Sequence, residues 1–231
     1  MTISELKRYC TYHLSGEFDL GELQNVVGRL LADVYAVSRR DIILDGHREV
    51  DVDLRDLDRL ILKVSRGEPL QYVVGFETFY GRDFTLNHNV LIPRPETEEL
   101  VRMIICENSD NGAVSVLDIG TGSGAIAITL SKELIGSKVE GWDISPMAIA
   151  VAQNNKEKFS ASNLEFSLVD VLKKDDIERK FDVIVSNPPY VTNSEKQQMQ
   201  SVVLDYEPHL ALFVDDADPL LFYSKITSLA A

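Results

Sequence analysis

Strands alternate with helices through residues 113–187, and this alternation constrains the fold more than any other feature of the sequence. The apolar runs AVSVLDIG, KVEGWDIS, NLEFSLVD and FDVIVSN are separated by segments with helical patterns, of which 123–135 and 146–158 are the longest. Near-continuous apolar strands joined through helices are typical of a parallel α/β sheet. In such sheets ligands bind beyond the carboxyl ends of the strands, so the loops at these ends are the candidates for a functional site.

The N-terminal part of the chain shows a different pattern, which predicts a small helical bundle over residues 1–67. Apolar residues recur there at helical spacing, and Asp19 and Asp53 stand where each can cap a following helix. Residues 68–93 mix aromatic and β-branched side chains around Gly81 and predict a β-hairpin. The expected regions are an N-terminal helical domain (1–67), a β-hairpin linker (68–93) and an α/β domain with a Rossmann-like sheet (94–231).

Charge and composition exclude several classes of function. The formal net charge is −14, which disfavours a general nucleic-acid binder, because such binding depends on Lys and Arg neutralising phosphates. No stretch of about 18 apolar residues occurs, so no membrane span is expected and the predicted location is the cytoplasm. The four histidines and two cysteines show no ligand spacing, so no metal site is predicted.

The segment LDIGTGSGAIAI predicts a ligand-binding turn between a strand and a helix. Gly120, Gly122 and Gly124 permit a tight turn and let a ligand approach the backbone closely, while the start of the helix offers free N–H groups. Thr121 and Ser123 lie between the glycines and are expected to take part in the same site. The spacing also fits the dinucleotide pattern G-x-G-x-x-G/A, so the turn by itself does not distinguish NAD from S-adenosylmethionine, or either from a purely structural turn.

Acidic residues at the ends of the strands extend this prediction to a nucleoside pocket. Asp143 ends the second strand, about twenty residues after the glycines, where a carboxylate can accept both ribose hydroxyls; the alternative is a cap for the helix that starts at Pro146. Asp170 ends the third strand, where it could accept an adenine amine or cap the next helix. Asp118 is unusual in a buried strand and is expected to bind N–H groups of the turn or a ligand ammonium.

The fourth strand is followed by a turn that contains Asn187, Pro188, Pro189 and Tyr190, and this turn indicates the function of the pocket. Proline fixes its own φ, restricts the residue before it and donates no hydrogen bond, so the turn is stiff and rich in acceptors. The Asn187 side-chain oxygen and neighbouring carbonyls suit a planar –NH₂ group, which has two hydrogens to donate, and Tyr190 can cover its plane. The alternative is a rigid strand-to-loop turn without such a role.

An acceptor-lined slot of this kind, formed by the Asn187 side chain and the neighbouring carbonyls, is useful for methyl transfer to nitrogen. The lone pair of an amide or exocyclic aromatic nitrogen is delocalised, so the nitrogen is a poor nucleophile. Acceptors that bind more strongly as positive charge develops on this nitrogen favour the transition state, and holding it in line with an activated methyl group adds proximity. S-adenosylmethionine supplies such a methyl group, whereas a NAD enzyme has no use for the slot. Asn187, Pro188 and Tyr190 are therefore the predicted catalytic residues.

With these motifs the sequence resembles the protein-(glutamine-N5) methyltransferases that modify peptide chain release factors. The segments that carry the resemblance are, in this order, LIPRPETEELV, VLDIGTGSGAIAI, WDISPMAIAVAQNN, FDVIVSNPPY and LDYEPHLALF. NPPY alone is shared with adenine-N6 methyltransferases, whereas PRPETEEL is more selective for this family. The resemblance implies a class I methyltransferase domain after a helical N-terminal domain.

The family implies both substrates and their contacts. The methyl acceptor would be the glutamine of the Gly-Gly-Gln loop in release factors, methylated on its side-chain amide nitrogen. By resemblance, the methyl donor S-adenosylmethionine is held by the residues Gly120, Thr121, Gly122, Ser123, Gly124, Asp143, Asp170, Val171 and Asn187. The residues implied to bind the glutamine are Asn187, Pro188, Pro189 and Tyr190.

Two further features bear on the expected domain. In IPRPETEEL, Pro95 suits the first position of a helix, which makes Arg94 its N-cap, a poor capping residue. Arg94 and Thr97 either belong to a solvated helix start or shape the cover of the donor pocket.

Four strands are counted in the α/β part, fewer than the seven of the family, so the sheet is expected to be truncated at its C-terminal end, with FDVIVSN at an open edge.

Other functions remain as alternatives at the level of the sequence. An adenine-N6 methyltransferase acting on nucleic acid shares NPPY, but the net charge of −14 and the absence of a basic patch weigh against it. A truncated, non-catalytic module would bind release factors through the helical domain. A NAD oxidoreductase would leave NPPY unused. The expected partners are therefore release factors, with no membrane and no direct nucleic-acid binding.

Overall fold

The N-terminal unit of the protein is helical, as the sequence predicts. A computed structural model describes residues 1–231, which form two compact units, Met1–Gly75 and Phe76–Ala231. The helices of the first unit are α1 (Ile3–Leu14), α2 (Leu20–Tyr35), α3 (Arg39–Leu44), α4 (Leu54–Ser65) and α5 (Leu70–Val74). The side chains of Asp19 and Asp53 each accept hydrogen bonds from two N–H groups in the first turn of the helix that follows, so both predicted caps are confirmed.

Apolar residues of α1, α2 and α4 form the core of this first unit. Leu6, Leu14, Leu30 and Leu57 are fully buried in it. Cys10 is a free thiol in the same core, and burial raises its pKa to about 12, because the thiolate would be poorly solvated there. The unit therefore holds together through the apolar spacing on which its prediction rests.

The second unit contains a hairpin, a parallel sheet with its helices, and a short C-terminal segment. Its first elements are β1 (Phe76–Phe79), β2 (Arg82–Thr85), α6 (Pro95–Asn108), β3 (Ser115–Ile119) and α7 (Ala125–Glu133). These are followed by β4 (Lys138–Asp143), α8 (Pro146–Lys158), β5 (Leu164–Leu168), β6 (Val183–Ser186) and β7 (Val191–Thr192). The last elements are α9 (Ser201–Tyr206), β8 (Phe213–Val214) and α10 (Leu221–Ala230).

The main sheet is parallel and has the strand order β5-β4-β3-β6. The chain moves outward from β3 to β5 and then returns to the other side of β3, so the direction of winding reverses between β3 and β6. In open α/β sheets a crevice forms at this switch point, outside the carboxyl ends of the strands. The four predicted strands are thus confirmed, and β6 lies at the edge of the sheet.

The core of this unit explains why its helix and strand sequences are so apolar. Most of α7 is buried, including Ile128 and Leu130, because the helix lies between the sheet and its neighbours α6 and α8. Phe79 and Phe84 of the hairpin pack into the same cluster, with their ring centroids 6.0 Å apart. The hairpin therefore forms part of the α/β core of this unit.

The hairpin is shorter than the sequence predicts. β1 and β2 pair in antiparallel register around Tyr80 and Gly81, both at positive φ, which matches a two-residue turn. The expectation of strand structure for residues 70–74 is wrong, because these residues form α5, which ends where Gly75 adopts a φ of 87°. A short apolar run between a proline and a glycine fits a buried helical turn as well as a strand.

After β6 the chain forms a second, two-stranded parallel sheet from β7 and β8. Apolar residues of α10, among them Phe222 and Ile226, pack against a cluster that includes Leu117 and Trp142. No helix in the protein combines the length and apolar character that a bilayer span requires. Residues of the segment after β6 therefore lie beside the carboxyl ends of the main strands.

Candidate active site

A cavity of about 370 Å³ lies at the carboxyl ends of β3, β4 and β6. This volume falls within the range of about 300–1,000 Å³ that is usual for small-molecule sites. Most of the predicted site residues line it, namely Gly120, Thr121, Gly122, Ser123, Asp143, Asp170, Val171, Asn187, Pro188 and Pro189. Gly124 and Tyr190 are outside this lining. The cavity lies at the switch point of the sheet, where the topology predicts a ligand.

The glycine turn is anchored to the neighbouring strand and open towards the cavity. The N–H groups of Gly120 and Thr121 both donate to the Trp142 carbonyl oxygen, at 2.8 and 2.9 Å. Gly120 and Gly122 have φ values of 75° and 56°, and a Cβ atom built on either would meet no protein atom within 4 Å. The turn therefore requires glycine for its backbone shape and leaves free space beside its backbone for a ligand.

Gly124 faces the protein core instead of the cavity. A Cβ atom on Gly124 would lie 2.9 Å from the Phe166 ring, and one on Gly141 would lie 2.5 Å from the same ring. The same Cβ atom on Gly141 would also lie 2.8 Å from the Thr121 hydroxyl oxygen. The two glycines therefore let the Phe166 side chain of β5 pack closely under the turn. No motif in the sequence predicts this contact.

Asp143 connects the glycine turn to the start of α8. One of its carboxylate oxygens accepts the Gly122 N–H at 2.9 Å, and the other accepts the Ser145 N–H at 2.9 Å. The N-cap of α8 is Ser145, whose hydroxyl accepts the Ala148 N–H at 3.2 Å. The alternative that Asp143 merely caps this helix is therefore wrong. Each carboxylate oxygen has a second lone pair, so the group can still accept hydrogen bonds from a ligand in the cavity.

Asp118 lies behind the turn and is fully buried. One carboxylate oxygen accepts the Thr121 hydroxyl at 2.7 Å and the Ala127 N–H at 3.2 Å, while the other has no hydrogen-bond partner. Burial raises the pKa of Asp118 to about 7, and the charge of Asp143 acts in the same direction. Asp118 therefore accepts no N–H group of the turn itself, contrary to the prediction; its partners are the hydroxyl of Thr121 in the turn and the Ala127 N–H in the first turn of α7.

Asp170 both caps a short helix and lines the cavity. Its carboxylate accepts the Leu172 N–H at 3.1 Å and lies 3.0 Å from the Lys173 ammonium, so the capping alternative is present in the structure. The hydrogen bond from Lys173 lowers the pKa of Asp170. Val171 is buried beside it in the cavity wall. This wall combines one carboxylate with an apolar surface, which suits the edge and the face of a base.

The turn after β6 begins at a fixed point next to the glycine turn. Ser186 donates its hydroxyl to the Ile119 carbonyl oxygen at 2.6 Å, which ties the last residue of β6 to the last residue of β3. Asn187 follows in the cavity wall, and its side chain makes no hydrogen bond within the protein. Tyr190 is 57% exposed at the surface. The acceptor oxygen of Asn187 is therefore available to a bound group.

Several residues around the cavity are not predicted by any motif of the sequence. The loop between the hairpin and α6 contributes the wall from His88 to Pro93, and Trp142 contributes another part of the lining. Arg94 and Thr97, two candidates from the sequence for the cover of the pocket, line the cavity as well. Asn155 of α8 donates to the carbonyl oxygens of Thr85 and Ser123, at 3.0 and 2.9 Å. It also accepts the Thr85 N–H at 2.9 Å. Its place in the motif AVAQNN is visible in the sequence, but its partners are not.

The lining residues fit the nucleoside methyl donor that the sequence suggests. The open side of the glycine turn can admit a ligand close to the backbone, and Asp143 and Asp170 offer acceptors to hydroxyl and amine groups. Apolar side chains such as Ile119, Val171 and Leu210 line the same cavity. No group of three or more His, Cys, Asp or Glu side chains could hold a metal ion.

Comparisons with known proteins agree with this arrangement. A family described as a methyltransferase domain matches residues 110–228, and one described as the PrmC N-terminal domain matches residues 21–75. A release factor glutamine methyltransferase of Flavobacterium psychrophilum is 42% identical over 234 residues, which is 100% of this chain and 82% of that protein.

Two further relatives carry the same name. The protein from Bacteroides thetaiotaomicron is 49% identical over 191 residues, which is 82% of this chain and 66% of that protein. The protein from Bacillus subtilis is 37% identical over 230 residues, covering 97% of this chain and 78% of the relative. The similarity thus extends over both units of the chain.

Proposed function

This chain belongs to the release factor glutamine methyltransferase family, and from this premise we propose that it methylates the side-chain amide nitrogen of a glutamine in peptide chain release factors. The glutamine is that of the Gly-Gly-Gln motif, and the methyl donor is S-adenosylmethionine. Because release factors act on the ribosome, the proposed reaction belongs to translation termination in the cytoplasm. The substrate is a protein, which agrees with the net charge of −14 of the chain.

The observation that carries this proposal is the meeting of two turns in one cavity. The glycine turn and Asp143 form one wall, and the Asn187 turn forms another. The hydroxyl of Ser186 fixes the second turn relative to the first, through the carbonyl oxygen of Ile119. A donor bound against the first wall and an amide bound against the second would share the same enclosed space, which is the requirement for direct transfer.

We assign the binding of the donor to residues of the glycine turn and of the strand ends. Gly120–Ser123 would face it through the backbone, Asp143 would accept ribose hydroxyls, and Asp170 and Val171 would meet the adenine. When bound, S-adenosylmethionine supplies a methyl group on a sulfonium, which is activated for transfer without a metal or a covalent enzyme intermediate.

Asn187 has the central role towards the glutamine. Its side-chain oxygen accepts one hydrogen of the carboxamide and a neighbouring backbone carbonyl of the proline turn accepts the other, so the amide plane is fixed. As the nitrogen takes the methyl group it becomes positively charged, and both hydrogen bonds then strengthen. The nitrogen afterwards loses one of its protons to water, since an N-protonated amide is a strong acid. Pro188 and Pro189 keep the acceptors in place, and Tyr190, which is exposed outside the cavity lining, would cover the amide from the solvent side.

Transfer of a labelled methyl group tests the proposal. The chain is incubated with methyl-labelled S-adenosylmethionine and with a release factor, and the matched control is the same release factor with the motif glutamine replaced by alanine. We expect label in the first protein and none in the second. Label that appears in both proteins alike, or only in added DNA, would contradict the proposed substrate.

A further inference from the structure

We propose that Glu207 is a positioning residue that closes the methyl-donor cavity by holding Arg94 and the backbone of Ile92 in its wall. This inference rests on the proposed function, because it assigns a role in the same site. It concerns a segment, LDYEPHLALF, to which neither the motifs nor the site chemistry give a role.

The contacts of Glu207 are those of a buried anchor. The residue is 4% exposed, and its carboxylate accepts one hydrogen bond from the Arg94 guanidinium at 2.5 Å and one from the Ile92 N–H at 3.3 Å. A carboxylate removed from water is costly unless it is paired and hydrogen-bonded, and these two donors provide the compensation. Arg94 is 113 positions away in the sequence, so the pair joins two distant segments.

Both segments that Glu207 joins are walls of the cavity. Ile92 and Arg94 line it on one side of the pair, and Pro208, Leu210 and Ala211 line it on the other. The ion pair therefore connects two parts of the boundary of the cavity to each other. An ion pair that served stability alone would have no need to lie between two lining segments.

The segment that follows Glu207 is hydrogen-bonded to the residues that follow the Asn187 turn. The Val191 N–H donates to the Leu212 carbonyl oxygen at 3.0 Å, and Val191 then pairs in β7 with Phe213 of β8. Glu207 lies five residues before Leu212, so it fixes the incoming end of the segment on which the exit of the Asn187 turn rests. The pair thus belongs to a chain of contacts along the cavity, which runs from Arg94 through Glu207 and β8 to the residues after Asn187.

If this chain of contacts keeps the cavity closed, removing the charge of Glu207 must weaken donor binding. The loss of binding must exceed that caused by a control substitution elsewhere that lowers the stability by a similar amount. The variant is Glu207→Gln, which keeps the shape of the side chain and removes its charge. The matched control is Glu133→Gln, because Glu133 forms an ion pair of the same 2.5 Å length with Arg82 in the same unit, and neither residue lines the cavity.

The measurement is the Kd for S-adenosylhomocysteine by titration calorimetry, together with the Tm of each unliganded variant. Coupling through a contact network changes affinity by a factor of about 2 to 30, and we expect about tenfold weaker binding in Glu207→Gln. Glu133→Gln should bind within about twofold of the parent chain even if its Tm falls by a similar amount. Equal Kd values for the two variants, or an unchanged Kd in Glu207→Gln, would overturn the inference.

A second variant keeps the test decisive if Glu207→Gln does not fold. Arg94→Gln changes the more exposed partner, whose side chain is 37% exposed, and should weaken binding to a similar extent. The double variant should bind no more weakly than either single variant, because the pair acts as one unit; additive losses would contradict this. The Kd comparison does not use activity, so a chain that binds S-adenosylhomocysteine but leaves release factors unlabelled would refute the proposed function and not this inference.

Discussion

The backbone N–H of Gly122 donates a 2.9 Å hydrogen bond to the carboxylate of Asp143, which lies 21 positions later in the sequence. The glycine turn at the end of β3 is thereby held by the acidic residue at the end of β4. The other carboxylate oxygen of Asp143 accepts the Ser145 N–H at 2.9 Å. A single side chain therefore sets the shape of the turn while it presents acceptors to the cavity.

Asp143→Ala should weaken the binding of the methyl donor strongly. The substitution removes the proposed ribose acceptor and leaves the N–H groups of Gly122 and Ser145 without their partner. Loss of hydrogen bonds to a charged group costs roughly 1.5–3 kcal/mol, so we expect the Kd for S-adenosylhomocysteine to rise by about 10- to 100-fold in titration calorimetry. A Kd within twofold of the parent value would contradict the assignment of Asp143 to the donor.

Asn187→Ala should slow methyl transfer strongly and leave donor binding nearly intact. Its side chain is free of protein partners, so its removal orphans no group, whereas the carboxamide of the substrate loses an acceptor that strengthens in the transition state. Loss of one such contact lowers kcat by about 10²- to 10³-fold. Single-turnover rates and the Kd for S-adenosylhomocysteine measure the two effects separately.

The control for this variant is Asn111→Ala, which replaces an exposed asparagine just after the end of α6 and should change neither quantity. Comparable losses of donor binding and of turnover in Asn187→Ala would show that the residue supports the cavity as a whole. This result would contradict the role proposed for its side-chain oxygen.

Asn155→Ala should destabilise the protein by about 2–4 kcal/mol, because three buried or partly buried backbone groups lose their partner at once. The side chain is fully buried and joins the hairpin at Thr85 to the glycine turn at Ser123. The measurement is the free energy of unfolding in urea. The neighbouring Asn154→Ala serves as control, since Asn154 is exposed on the same helix and its replacement should change this free energy by less than about 0.5 kcal/mol. Equal effects of the two substitutions would contradict the role of Asn155 as a clamp.

Local signals in the sequence predict the helices, strands and turns that bring most of the predicted residues to one cavity, with Gly124 and Tyr190 outside it. Asp19 and Asp53 cap helices by accepting hydrogen bonds from N–H groups two and three positions later in the sequence. The four apolar runs form the four strands of the sheet, because their apolar composition is enough to predict their burial. Residues 70–74 are misassigned because a run of five residues, four of them apolar, carries too little periodicity to separate a helical turn from a strand.

The contacts that support the cavity could not be predicted because their partners are distant in sequence. Asn155 bonds to Thr85 across 70 positions, and Glu207 pairs with Arg94 across 113. Such contacts depend on how the elements pack and leave no spacing that a single sequence would reveal. The poor capping ability of Arg94 was the one local sign that its side chain has another use.

The free energy of unfolding should depend on pH through Asp118. Burial raises the pKa of this residue to about 7 in the folded state, above the value of about 3.9 for an unfolded chain. Between these values the folded state retains a proton that the unfolded state has lost. Asp118 therefore stabilises the fold fully below about pH 4, and this contribution is lost as the pH rises to about 7.

Asp118→Asn removes this titration and should flatten the pH profile. Between pH 5 and pH 8 we expect the parent chain to lose roughly 2 kcal/mol of unfolding free energy more than the variant does, measured by urea unfolding at both pH values. Taking the difference between the two proteins cancels the titration of the remaining carboxylates and histidines, which both chains share. The amide should still accept the Thr121 hydroxyl and the Ala127 N–H through its oxygen, so the turn keeps its anchor. Parallel pH profiles for the two proteins would show that Asp118 titrates with an ordinary pKa, in spite of its complete burial behind the glycine turn.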